Sequence, residues 1–141
     1  MKYLFSNPVF RILHLSLLFS VSMVLARVIY VGQSYFMFML WNLFLAYIPF
    51  LLSSLFIDRP MLIDKKFLFI PLALLWLVFI PNTFYMITDL FHLNEPHAMP
   101  LWFDTLLIVS FSWNGLLLGI ISVQQNQIIQ KSKIMSHKIY K

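Results

Sequence analysis

Residues 35–57 read YFMFMLWNLFLAYIPFLLSSLFI, a run without a single charged side chain. A helix crosses a hydrocarbon core about 30 Å thick with roughly 20 apolar residues. Residues 67–88, FLFIPLALLWLVFIPNTFYMIT, form a second uncharged run of similar length. The two stretches predict transmembrane helices and place the chain among membrane proteins.

The composition of the 141-residue chain agrees with that class, since 61% of its residues are hydrophobic and only 11% are charged. Two further apolar runs occupy residues 9–31 and 101–123. A membrane barrel would show segments of about ten residues that alternate polar and apolar side chains, and these runs are apolar on every side. We therefore expect an all-α, polytopic membrane protein in which four transmembrane helices, at about 9–31, 35–57, 67–88 and 101–123, pack as a bundle. Residues 1–124 would form a single transmembrane domain, followed by a basic cytoplasmic tail at 125–141.

The first run admits a second interpretation. Arg11 and Arg27 leave only ILHLSLLFSVSMVLA uncharged between them, a length that also suits the core of a signal peptide. No convincing small-residue cleavage site follows, so we favour a helix. Arg27 would then reach the interface by snorkelling or pair with an acidic group inside the bundle.

Basic residues predict the orientation of the bundle. With four spans and short connections, positive charge concentrates in the cytoplasmic segments. Nine of the ten Lys and Arg residues fall on one side: Lys2, Arg11, Arg59, Lys65, Lys66, Lys131, Lys133, Lys138 and Lys141. We expect both termini to be cytoplasmic. The net charge of +5 then reflects topology and attraction to the anionic bilayer, and no nucleic-acid partner is expected.

One stretch, FIPNTFYMITDLFHLNEPHAMPLWFD at 79–104, is unusually rich in polar groups for so apolar a chain. Asn82, Tyr85, Asp89 and His92 follow one another at spacings of three, four and three, so they would share one face of a helix. Together with Arg27, Asn42 and Asp104, they would give every helix a polar group in the outer third of the bundle.

Three interpretations of these groups remain open. In the structural one, Arg27 pairs with Asp89 or Asp104, and Asn42 and Asn82 bridge helices, because interhelical polar contacts are common in membrane bundles. A lone histidine such as His14, near the cytoplasmic end of the first helix, would likewise bond to a neighbour.

In a second interpretation, Asp89, His92 and Asp104, with His97 or Glu95, bind a divalent metal. Carboxylate and imidazole ligands without sulfur suit manganese, iron or zinc, and the chain has no cysteine. The metal would activate water against a lipid-linked or periplasmic substrate.

In a third interpretation, no metal is present and Asp89, His92 and Asp104 are the catalytic residues, with His92 and Asp89 acting as an acid or base pair. The substrate would be positioned by Asn42, Asn82, Tyr85, Thr88 and Trp102. A carrier of protons or solutes is disfavoured, because the candidate nearest the membrane midplane is the neutral Asn114.

Two glycines in the fourth run, Gly115 and Gly119 in GLLLG, form a small-xxx-small motif. Such a motif allows close helix approach, within this bundle or between copies. We favour packing within the bundle.

Four segments together carry a resemblance to a known family: WNLFLAYIP at 41–49, FIPNTFYMITDLFHL at 79–93, PLWFD at 100–104 and FSWNGLLLG at 111–119. Over roughly residues 35–124 the chain resembles the bacterial membrane proteins grouped as domain of unknown function 1361. The resemblance implies a multi-pass membrane protein and no particular chemistry. It picks out Asn42, Pro81, Asn82, Tyr85, Thr88, Asp89, His92, Trp102, Asp104 and Asn114. Because the family's pattern continues with further hydrophobic sequence, we expect a short or truncated member.

With this resemblance, we expect a bacterial inner-membrane protein whose polar cluster lies at the extracytoplasmic face. A structural or assembly role is favoured, with a membrane enzyme as the alternative.

Overall fold

The computed structural model describes residues 8–32, 34–94 and 99–139, and it describes side chains in these ranges except those of residues 92–94 and 132–139. Four long helices cross the structure: α1 (Pro8–Val31), α2 (Met37–Asp58), α4 (Lys66–Tyr85) and α5 (Leu101–Ile139). A short helix, α3 (Met61–Asp64), precedes α4, and a 3₁₀ helix (Met86–Asn94) follows it. The described residues contain no strand. Four helical stretches are long and apolar enough to span a membrane, which confirms the predicted fold class.

The turn between α1 and α2 depends on Gly32, whose φ of 72° lies in the left-handed region. Its N–H donates to the carbonyl of Val28 at 2.8 Å, as in a helix that ends with a left-handed glycine. A side chain at this position would strain the backbone.

At the opposite end of the bundle, α2 passes into α4 through a short charged segment. The N–H of Arg59 still donates to the carbonyl of Leu55 at 2.9 Å, and Pro60 then begins α3. Arg59, Lys65 and Lys66 are all exposed at this end.

The last helix, α5, is the centre of the bundle, because it contacts α1, α2, α4 and the 3₁₀ helix. In the most apolar 18-residue stretch of this last span, half of the residues are buried inside the protein. In the corresponding stretch of the third span, Lys66–Phe91, only 6% are buried. The core between the helices contains fully buried Phe50, Leu107 and Phe111. The third span therefore lies at the edge of the bundle, with most of its apolar surface turned outward toward lipid.

The third span differs from its predicted form, an α-helix over 67–88. The α-helix ends at Tyr85, and the chain continues as a 3₁₀ helix to Asn94, inside the predicted loop. The hydroxyls of Thr83 and Thr88, one on each side of this change, donate at 2.7 Å to a carbonyl three residues earlier. The tighter winding places Thr83, Met86 and Asp89, three residues apart, on the buried side.

The fourth span also differs from its predicted bounds of 101–123. Helix α5 continues to Ile139, so the predicted boundary at residue 124 falls inside a continuous helix. No glycine or proline interrupts residues 120–139. Gln125 and Ile129 are still buried against the bundle, and this packing carries the helix into the basic segment.

Candidate functional site

A buried ion pair joins the first and last spans. The Nε of Arg27 donates to Oδ1 of Asp104 at 2.7 Å, and Nη2 donates to Oδ2 at 3.2 Å. The side chains are 3% and 0% exposed. The two parallel hydrogen bonds have the bidentate geometry that a guanidinium and a carboxylate prefer. Arg27 thus forms its ion pair with Asp104, one of the two partners predicted from the sequence.

The Arg27 guanidinium also lies against an aromatic ring. Its guanidinium carbon lies 4.3 Å from the centroid of the Phe36 ring, a distance at which a cation and a ring face attract each other. One nitrogen, Nη1, is buried without a hydrogen-bond partner among the described residues. A buried donor without a partner costs roughly 1–3 kcal/mol, so the pair is less stabilising than its short contacts suggest.

The second buried carboxylate, Asp89, lies at the 3₁₀ helix and is reached from α2. The Nδ2 of Asn42 donates to Oδ2 and Oδ1 of Asp89 over long distances of 3.3 and 3.5 Å. The Nδ2 of Asn82 in turn donates to the backbone carbonyl of Asn42 at 3.1 Å. Asn42 therefore links the second and third spans, through its side chain and its backbone.

Other residues predicted to face a substrate lie on the surface. Tyr85 is 60% exposed and Trp102 is 67% exposed. Thr88 is exposed as well, and its hydroxyl donates to the Tyr85 carbonyl. The change from α-helical to 3₁₀ winding explains the position of Tyr85, because it separates this ring from the face that carries Asp89. Among the described side chains, Tyr85 and Trp102 are therefore exposed while Asp89 and Asp104 are buried, and these four residues do not line one pocket.

Part of the predicted site lies outside the described residues. This holds for the side chain of His92 and for all of Glu95 and His97. Among the described residues, no group of three His, Cys, Asp or Glu side chains is close enough to hold a metal ion. The predicted site with Asp89, His92 and Asp104 as metal ligands therefore stays a prediction.

A second polar contact between α1 and α5 lies deeper in the bundle. The Nδ2 of Asn114 donates to Ser20 Oγ at 2.8 Å and to the Ser16 carbonyl at 3.2 Å. Ser20 also donates to Ser110 Oγ at 3.1 Å. The Oδ1 atom of Asn114 is buried without a described partner. Asn114 is thus bonded to α1, and its unpartnered oxygen faces the protein interior.

A third network joins α2, α4 and α5 and was not anticipated from the sequence. Gln125 Oε1 accepts hydrogen bonds from Ser53 at 2.5 Å and from Ser54 at 3.2 Å. Ser122 Oγ accepts the indole N–H of Trp76 at 2.7 Å and lies 3.1 Å from Ser53 Oγ. The signal for this network was the presence of serines and a glutamine in apolar spans, where hydrogen bonds across helices are the usual way to satisfy them.

The lone histidine of α1 has the neighbours that its position suggested. His14 Nδ1 donates to the Phe10 carbonyl at 2.5 Å, and Nε2 lies 2.8 Å from the hydroxyl of Tyr47. Since a carbonyl only accepts, the neutral ring accepts the tyrosine proton at Nε2. The expected hydrogen bond is confirmed.

The two glycines of α5 lie against the third span. A Cβ atom at Gly115 would meet Met86 Sδ at 2.6 Å and the Thr83 carbonyl oxygen at 2.9 Å. A Cβ atom at Gly119 would overlap the hydroxyl of Thr83. Only glycine permits this separation between α4 and α5.

Four helices of membrane length, with their buried polar groups bonded across helix interfaces, define an α-helical polytopic membrane protein. The chain belongs to the family described as protein of unknown function (DUF1361), which matches residues 41–141. The match begins at Trp41, so it covers three of the four spans and leaves α1 outside. No curated protein and no solved structure matches the chain.

Proposed function

We propose that the protein is a structural or assembly component of its membrane and not a catalyst. The observation that carries this proposal is the bidentate contact between Arg27 and Asp104, two side chains buried at 3% and 0% exposure. A general base must come within hydrogen-bond reach of a substrate proton. Asp104 is instead enclosed between helices and occupied by a cation from α1.

Asp89 supports the same proposal. Its carboxylate is 3% exposed and accepts from the Asn42 amide on a neighbouring helix. Five of the polar residues that the family resemblance picks out thus supply contacts between spans, a role typical of polar side chains in membrane bundles: Asn42, Asn82, Asp89, Asp104 and Asn114.

We also propose that the membrane is the bacterial inner membrane and that both termini are cytoplasmic. The support is the exposed cluster Arg59, Lys65 and Lys66 at one end of the bundle, with Lys131 exposed on α5. Cytoplasmic connections carry an excess of such residues. Residues 1–124 would act as the transmembrane unit, and the basic part of α5 would reach beyond the bilayer.

The competing proposal is a membrane enzyme, metal-dependent or not, that uses Asp89 and His92 against a lipid-linked or periplasmic substrate. One observation favours it: the third span changes from α-helix to 3₁₀ helix just before Asp89. Such a change within a helix often marks a functional hinge. Asn42 and Asn82 would then orient the carboxylate for the substrate.

Metal analysis of the detergent-purified protein separates the two proposals. The wild type is compared with Asp89→Asn and His92→Ala, and Asp64→Asn in the exposed α3 is the matched control. The structural proposal expects less than one manganese, iron or zinc per ten chains in every protein. Stoichiometric metal that disappears in Asp89→Asn and His92→Ala but stays in Asp64→Asn, with all proteins folded by circular dichroism, would overturn it.

The second test, which also addresses a metal-free enzyme, measures whether the protein is part of a larger particle in its own membrane. An assembly component should migrate in native gels of mildly solubilised membranes as part of a particle larger than its own detergent complex. If Asp89 serves only as a catalytic residue, the Asp89→Asn variant should still form that particle. If Asp89 supports assembly, the variant should lose the particle. Migration of the wild type as the isolated chain would contradict the assembly role.

A further inference from the structure

A groove between α2, α4 and α5 is open to the bilayer at the basic end of the bundle. Its cavity volume is about 380 Å³, within the range of small-molecule sites. Phe56 of α2 and Phe69 of α4 form one wall, with ring centroids 5.4 Å apart. Ala73 and Leu77 continue the apolar surface deeper into the membrane.

One side of this groove is polar. Asn126 and Gln130 of α5 line it, and with Ser122 they follow a spacing of four along the helix. Side chains so spaced lie one above the other on a single face. Ser122 also accepts the indole N–H of Trp76, which fixes that ring as part of the groove wall. The site is therefore preorganised, with amide groups above an apolar slot.

Basic residues outnumber acidic ones at this end of the bundle, where Arg59, Lys65, Lys66 and Lys131 lie with Asp58 and Asp64. Lys66 begins α4 and precedes Phe69 and Ile70 by three and four residues, so it continues the stripe of α4 that lines the groove. Lys131 follows Gln130 on α5 and is exposed. Both cations lie on helices that line the groove, Lys66 at the start of α4 and Lys131 next to Gln130 of α5.

The geometry points to a binding site for one anionic phospholipid in this groove. One acyl chain would lie against Phe69, Ala73 and Leu77, and the ester oxygens would accept hydrogen bonds from Asn126 and Gln130. The headgroup phosphate would meet Lys66. Basic pockets between transmembrane helices recognise anionic lipid in this way. The inference is independent of the proposed function, since it uses neither Asp89 nor Asp104.

Native mass spectrometry tests the site on the purified full chain, with phosphatidylglycerol and phosphatidylcholine as the two probes. We expect one phosphatidylglycerol to remain bound at a tenfold lower lipid concentration than phosphatidylcholine requires. Lys66→Gln should weaken phosphatidylglycerol binding about fivefold, the effect of one basic residue near an anionic lipid surface. Arg11→Gln, an exposed basic residue on α1, is the matched control and should change nothing.

A second variant tests the slot by volume. Ala73→Trp fills the groove and should abolish binding of the one phosphatidylglycerol that the wild type retains. Leu15→Trp, at an exposed apolar position of α1, is the control for a large ring on the lipid-facing surface. Equal retention of the two lipids by the wild type would refute anionic selectivity. Unchanged binding in both Lys66→Gln and Ala73→Trp would place the lipid elsewhere and overturn the site.

Discussion

Breaking the Arg27–Asp104 pair on one side should destabilise the protein far more than removing it altogether. In Asp104→Leu the guanidinium stays in the bundle at 3% exposure and loses both of its short hydrogen bonds. An uncompensated buried charge costs about 3–5 kcal/mol. Arg27→Met removes the guanidinium that pairs with the buried Asp104 carboxylate, and it also removes the contact with Phe36. Each single variant should therefore lose about 3 kcal/mol or more.

The double variant Arg27→Met/Asp104→Leu should recover most of this loss. Replacing a buried pair by apolar residues of similar size is often neutral or stabilising. The unpartnered Nη1 of Arg27 adds to this expectation, because its removal ends the cost of an unsatisfied donor. We expect the double variant to lie within about 1 kcal/mol of the wild type, which gives a coupling energy of several kcal/mol.

The assay is unfolding of the four proteins in mixed micelles with rising fractions of a denaturing detergent, followed by circular dichroism. Arg11→Met, at an exposed basic position of the same helix, is the control and should leave the midpoint unchanged. Two single variants that each lose less than about 1 kcal/mol would refute the reasoning, because the pair would then be screened or replaceable. A double variant as unstable as the worse single variant would refute it as well.

Three further predictions concern other parts of the bundle. Gly119→Ala should lower the free energy of unfolding by about 1–3 kcal/mol through overpacking. Adding Thr83→Ala should recover part of that loss in the same unfolding assay, because it removes the overlapping hydroxyl. No recovery would contradict the packing of α5 on α4. Ser122→Ala should cost about 1 kcal/mol, since it leaves the half-buried indole N–H of Trp76 without its acceptor; an unchanged midpoint would show that another group replaces the serine. Because the chain has no cysteine, Ser34→Cys should react with a membrane-impermeant maleimide in intact cells and Asp64→Cys only after permeabilisation; the reverse pattern would invert the proposed orientation.

The spans could be predicted from the sequence because burial in lipid imposes length and apolarity on every crossing segment, whatever its neighbours are. The choice of Arg27 between Asp89 and Asp104 could not. It depends on which helices are adjacent, and hydropathy along one chain carries no information about adjacency. The observed pairing follows from the central place of α5, which brings Asp104 to α1.

The predicted face of Asn82, Tyr85, Asp89 and His92 assumed one helical period throughout. The change to 3₁₀ winding at Met86 altered that period, so Tyr85 turned outward while Asp89 stayed buried. Hydropathy along the chain carries no signal for such a change of winding near a helix end. Likewise the sequence did not predict the contacts of Ser53, Ser122 and Gln125, because a polar residue inside an apolar run carries no information about which helix faces it.

The ion pair between the first and last spans has a consequence for biogenesis. Arg27 emerges from the ribosome 77 residues before Asp104. At about 5–20 residues per second, synthesis leaves its charge without that counter-ion for roughly 4 to 15 seconds. During this interval α1 must wait near the insertion machinery or hold its guanidinium at the headgroups. The bundle therefore closes only when its final helix arrives, and a chain that ends before residue 104 would have a first helix whose arginine has no counter-ion from α5.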